Sequence, residues 1–410
     1  MQASNLIGLK RAIATLCLLV FGGLCASALA QDVRARHAAM GQVKAELGTG
    51  AAVDGRGRIW IANKETAADG QYVVLQMSAD GGQTWSAPRR IQSAPEAVSA
   101  DGENRPKLAF APDGALYITY TRPLSKPYTG EIRMVRSSDG GQTFLPPATV
   151  HANRDLITHR FDSLIVDADG RVYVAWIDKR DMEAGKAGKR KYAGAALYYA
   201  VSSDGGASFK GDYKAADHSC ECCRIALALG PAGKPVALWR HVFDSNVRDH
   251  ALLELAPGGQ SGPLQRATFD QWKVDACPHQ GPSLAYSADG TRHQVWFNLI
   301  GDEGGVFYAA TDGSGALKTP MKLGSAQAAH ADVAVQARNV VLAWKQFDGK
   351  STAILGKSSL DGGLTWREQE LARTRNDSDQ PHLLATPTGI VVIWRTRDEG
   401  VRVLPASMEK

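Results

Sequence analysis

Four cysteines fall in two short segments of the chain, Cys220-Glu221-Cys222-Cys223 and Cys277-Pro278-His279. Thiolate and imidazole are the protein donors that select Cu(I) or Zn. Together the segments offer up to five soft or borderline donors: Cys220, Cys222, Cys223, Cys277 and His279. Their spacing matches no defined zinc module. In an oxidising compartment Cu(I) is the favoured soft ion, and its binding would protect the thiols. Two other chemistries use the same residues. Disulfides, or one bridge with free thiols, would tie the segments together; a bridge between the adjacent Cys222 and Cys223 would be strained. A thiol beside Arg224 and His279 would be acidified and reactive.

The compartment is read from the N-terminus. Lys10 and Arg11 precede an apolar stretch, Ala12 to Leu24, and Ala28-Leu29-Ala30 has the form of a cleavage site. Residues 1–30 are therefore expected to be a signal peptide, and residues 31–410 a single exported domain, periplasmic or secreted. The apolar stretch is too short to span a bilayer comfortably, and no other is long enough. Cys17 and Cys25 leave with the signal, so the four cysteines above are those of the mature chain. The formal charge of +5 falls to +3 when Lys10 and Arg11 are lost. That is too mild to imply nucleic acid. Oligomeric state is not set by the sequence.

These residues need a scaffold, and a repeat supplies it. Ser137-Ser138-Asp139-Gly140-Gly141-Gln142-Thr143-Phe144 recurs from Ser78 to Trp85, from Ser202 to Phe209 and from Ser359 to Trp366. The Asp accepts hydrogen bonds from amides just ahead, and the glycines supply positive φ. A second repeat interleaves with it: two short apolar strands around a turn, as in Lys107–Thr121, Ser163–Ile177 and Leu383–Arg395. Alternation such as Val172-Tyr173-Val174-Ala175-Trp176 favours strand over helix. The box aspartates stand at 80, 139, 204 and 361. The last gap predicts two decayed boxes, at Pro257–Gln260 and Thr311–Gly313. Such units stack around an axis. The expected fold is all-β, a β-propeller of four-stranded blades, with seven blades favoured and six as the alternative. The seventh unit is one strand short, and Val33–Lys44 is expected to close the ring.

The box resembles the Asp-box, or BNR repeat, of the sialidase superfamily. The resemblance implies that the boxes lie on the face opposite the site. It also implies exo-α-sialidase-like glycoside hydrolysis, in which three arginines hold the sugar carboxylate and a carboxylic acid serves as acid/base. Arg105, Arg160 and Arg224 precede consecutive inner strands and would form such a triad, with Asp178 as a carboxylate candidate. The family's Phe-Arg-Ile-Pro element is absent: blade one begins at Leu47-Gly48-Thr49-Gly50.

In a propeller, the residues before each inner strand converge on one mouth of the axis. Every mature cysteine and most histidines occupy that register. The run Lys179 to Lys191 is expected to be a solvated loop near the same mouth. The leading expectation is ligand binding at this funnel, a small ligand, metal ion or glycan, with copper at the cysteines. A glycoside hydrolase and a disulfide-stapled scaffold or interaction protein are the alternatives.

Overall fold

The computed structural model describes residues 46–301 and 304–407. Within them each repeat folds as an antiparallel meander. In blade one, Gly50–Val53, Ile59–Ala67, Gly70–Ser78 and Arg89–Arg90 pair in that order. Five further sheets repeat the pattern, and a last sheet of three strands comprises His382–Thr386, Gly389–Thr396 and Gly400–Pro405. The chain is thus an all-β propeller of seven blades. The proposed signal peptide and the closing segment Val33–Lys44 lie outside the described residues.

Closure is visible at the axis. The inner strand Gly50–Val53 packs against Lys107–Phe110 on one side and His382–Thr386 on the other. Ala51, Ile59 and Ile61 of blade one share a core with Leu384 and Ile393 of blade seven. Every blade buries both faces in this way, since a lone sheet would leave one wet. Trp176, Trp239, Trp344 and Trp394 stand in second strands and are among the largest fully buried side chains. Each contributes a few kcal/mol by leaving water, about 2–3 on the usual area scale.

The boxes form the predicted turns. Asp139 accepts from the Thr143 amide at 2.9 Å, the Thr143 hydroxyl at 2.6 Å and the Ser137 hydroxyl at 2.7 Å. Led by the Thr hydroxyl, these bonds hold its carboxyl well below the usual carboxylate range. Thr84, Ser208 and Thr365 do the same for Asp80, Asp204 and Asp361. Gly82 has φ 93°, and a Cβ there would meet Val403 at 2.1 Å, so this box packs against blade seven. Both decayed boxes are third-to-fourth-strand turns. Pro257–Gln260 lies between His250–Glu254 and Gln265–Arg266, and Asp312 still accepts from the Ser314 and Ala316 amides.

The run after Asp178 departs from the expected loop. It contains an α-helix, α1 (Arg180–Ala187). Met, Glu, Ala and Lys are good helix formers, and the Asp178 carboxylate accepts the Arg180 amide at 2.9 Å in the first turn. Among the described residues, no helix is long and apolar enough to cross a membrane.

Candidate metal centre

The segments before the inner strands meet around one carboxylate. Gly102–Asn104 forms a 3-10 turn, with the Asp101 carboxylate accepting the Asn104 amide. This turn directs Glu103 to the axis. Glu103 Oε2 accepts from the amides of Arg224, at 2.9 Å, and Gly281, at 3.0 Å. Its Oε1 accepts from Arg224 Nη1 at 3.0 Å and Gln380 Nε2 at 3.1 Å. His330 Nδ1 stands 3.4 Å away. Blades two, four, five, six and seven are thereby joined at one side chain that is 1% exposed. Burial alone would raise this carboxyl; Arg224, His330 and the Arg224 amide outweigh it and hold the group well below its ordinary range.

This hub sets the two cysteine segments side by side. Gly281 follows Cys277-Pro278-His279-Gln280, and Arg224 follows Cys223. A Cβ on Gly281 would lie 2.7 Å from the Arg224 carbonyl oxygen and 2.8 Å from its amide nitrogen. Only glycine permits so close a backbone approach.

The thiols of Cys220, Cys222 and Cys223 are buried, and their sulfurs lie within 4.8 Å of one another. Cys220 Sγ is 3.9 Å from Cys222 Sγ and 3.8 Å from Cys223 Sγ. Cys277 is exposed. It neighbours the Cys222 thiol, whose hydrogen bond holds the Cys277 thiol below its ordinary value. Hydrogen bonds from Cys222 and Cys223 likewise draw the Cys220 thiol well down; burial opposes them, and the Arg240 and Arg248 charges assist. The bond to Cys220 is the chief cause that pushes Cys222 and Cys223 up. Cys220 is therefore the thiol of the triad that is drawn down while its two neighbours are pushed up.

Arg248 Nη1 is 3.7 Å from Cys220 Sγ. Changing Arg248 to Met keeps the apolar stem and removes the charge. Alkylation of the reduced protein, followed against pH, should then titrate at higher pH at Cys220. An unchanged profile would show that Arg248 does not tune this thiol.

Other site candidates are engaged elsewhere. His279 has φ 51°. Its ring centroid lies 6.5 Å from that of Phe161, and its charge bears on Asp101. The cations acting on Cys220 are Arg240 and Arg248, in place of the expected Arg224 and His279. Arg105 donates to the carbonyls of Gly102 and Thr49, to Gln380 and to Asp379. Arg224 Nε and Nη2 donate to the carbonyls of Pro282 and Ala331. Arg160 pairs with Asp101 at 3.4 Å and lies over the Phe161 ring. Asp178 is fully buried and accepts from Trp176 Nε1 and three nitrogens of Arg180. Below the hub, an axial cavity of about 300 Å³ is lined by Lys107, Ser163, Ser283, Asp332 and His382, among others.

Sequence reasoning missed Glu103. The signal was present: it lies two residues before Arg105, in the register that collects the cysteines.

No protein-family profile matches the chain, and no curated protein matches it. Solved structures do. A polysaccharide lyase of family PL25, an ulvan lyase bound to -[GlcA(1-4)Rha3S]-, is 11% identical with a TM-score of 0.55, over 88% of this chain and 92% of the lyase. A Hadza microbial sialidase is 14% identical with a TM-score of 0.45, over 79% of this chain and 65% of its own. An α-L-arabinofuranosidase from Fusarium graminearum is 12% identical with a TM-score of 0.48, over 73% and 88%. At these identities the likeness is one of fold: the chain has the architecture found in the lyase.

Proposed function

We propose that this protein is an exported propeller that binds a soft metal ion, Cu(I), in the buried thiol triad Cys220, Cys222 and Cys223. The observation that carries the reading is the sulfur spacing. Metal–sulfur bonds of about 2.3 Å put neighbouring sulfurs about 3.8 Å apart in a tetrahedron and about 4.0 Å apart in a plane. The sulfurs here are 3.8 and 3.9 Å apart from Cys220. A Cys220 thiol drawn below its ordinary value lowers the proton cost of metal binding. Cu(I) is the soft ion suited to an oxidising compartment, which the N-terminal thirty residues suggest.

The carbohydrate reading has less support. Arg105 and Arg224 spend their donors on protein acceptors, so neither presents a free fork to a sugar carboxylate. Release from a fluorogenic sialoside is accordingly expected to be absent.

Reduced protein titrated anaerobically with Cu(I), against a competing chelator, should take up about one ion per chain. Ser at Cys220, Cys222 or Cys223 should weaken binding by at least roughly tenfold to a hundredfold. Undiminished uptake by the triple Ser variant would remove the proposal. Four blocked thiols in protein purified under native conditions would point instead to disulfide bridges.

A further inference from the structure

The cations around this mouth fall into two groups. Arg105, Arg160, Arg224 and Lys179 each pair with a carboxylate, of Asp379, Asp101, Glu103 and Glu221 in turn. Arg240 and Arg248 pair with none among the described residues. Arg240 is 1% exposed, and its Nη1 and Nη2 donate to carbonyls, of Arg248 at 3.2 Å, Gln280 at 3.0 Å and Phe297 at 2.8 Å. Arg248 Nε donates to Asn246 Oδ1 at 3.0 Å, and its Nη1 to Cys220 Sγ at 3.7 Å. The backbone fixes both in place. The Cys220 amide donates to the Arg240 carbonyl at 2.9 Å, and the Arg248 amide to the Trp272 carbonyl at 2.6 Å. Asn246 is itself held, its Nδ2 donating to Asp275 Oδ1 at 2.6 Å and to the Val274 carbonyl at 3.2 Å. Two guanidinium charges thus stand beside the thiol triad with no carboxylate to offset them, and a buried cation left so is costly.

From this we infer that Arg248, with Arg240 behind it, sets which ions the triad accepts: they are the counter-cations of an anionic complex, and they favour a monovalent soft ion over a divalent or trivalent one. The inference rests on the copper reading above and adds the basis of selectivity. Three thiolates carry a fixed charge, and the ion decides how much of it remains. Cu(I) displaces three protons to solvent and leaves a dianion, as Ag(I) does. Zn(II) displaces the same three protons and leaves a monoanion. Arsenite condenses with three thiols, releases three waters and leaves a neutral complex. No oxidation state changes in any of these reactions. Only the first complex carries the two negative charges that the two guanidinium groups lack. Arg248 touches the sulfur of Cys220 and is a positioning residue for charge, not a ligand. Arg240 lies a layer deeper, with its guanidinium 4.8 Å from the centroid of the Trp272 ring.

Anaerobic titrations of the reduced protein at one pH separate charge from structure. Cu(I) is presented against bicinchoninate, Ag(I) and Zn(II) against chelators of suitable strength, and arsenite alone. In Arg248→Met the affinity for Cu(I) and Ag(I) should fall by about tenfold or more, that for Zn(II) by less, and that for arsenite by no more than about twofold. Arg248→Lys keeps the charge and should recover most of the Cu(I) affinity. An equal loss for every ion would make Arg248 a structural residue alone, and an unchanged Cu(I) affinity would remove its role. Either result overturns the inference and leaves the triad reading intact. Failure of the wild type to take Cu(I) would remove the copper reading, and this inference with it.

Discussion

Glu103→Gln should be the most damaging single change in the molecule. Four donors converge on the carboxylate: the amides of Arg224 and Gly281, Arg224 Nη1 and Gln380 Nε2. A carboxamide has one accepting oxygen, and its NH2 would face donors across the other position. Arg224 would also lose the anion at its side while staying largely buried. Breaking a buried pair from one side costs about 3–5 kcal/mol. A urea midpoint lowered by that amount, with the m-value unchanged, is the expected result. A loss below about 1 kcal/mol would mean that the hub is replaceable by water.

Acid should be the second large perturbation, through histidines rather than carboxylates at first. His151, His241 and His293 are each held at a pKa of about 4, by burial above all. His151 shows why. Its Nε2 accepts the Ile132 amide at 3.1 Å, and its Nδ1 faces the Asn153 carbonyl at 2.6 Å. A second proton would point at the Ile132 N–H. The folded pKa is below the unfolded value of 6.5, so the unfolded chain takes up protons first as pH falls. The stability each provides is complete above 6.5 and is lost as pH drops through 4. For a buried histidine this is on the order of 3 kcal/mol. Glu103 and Asp332, held below the usual carboxylate range, extend the loss to lower pH. Urea midpoints measured from neutral pH down to about 4.5 should fall steadily, and His151→Gln should flatten part of the slope. A flat profile over that interval would refute the argument.

The scaffold was legible because its turns are repeated. Ser137, Asp139, Gly141 and Thr143 can satisfy one another in only a few ways, and the spacing of their copies counts the blades. The meeting of Cys220 with Cys222 and Cys223 is local, and the approach of Cys277 follows from its register before the inner strand of blade five. What the register does not fix is where a side chain points. His279 belongs to the same segment as Cys277, yet its backbone at φ 51° accompanies a ring near Phe161 and Asp101. Arg224 shares a segment with the triad and is turned to the axis by Glu103. Helix α1 was missed because an eight-residue helix anchored by Asp178 carries too short a period to read.

The separation along the chain of the groups on Glu103 has a kinetic meaning. Residue 103 must meet residues 224, 281 and 380, the last 277 positions away. Contacts this distant in sequence close slowly, since a long loop must be ordered before any of them rewards it. During synthesis the acid emerges early and waits for its final partner until nearly the whole polypeptide has been made. The closing of the hub by Gln380 is therefore among the last events of maturation.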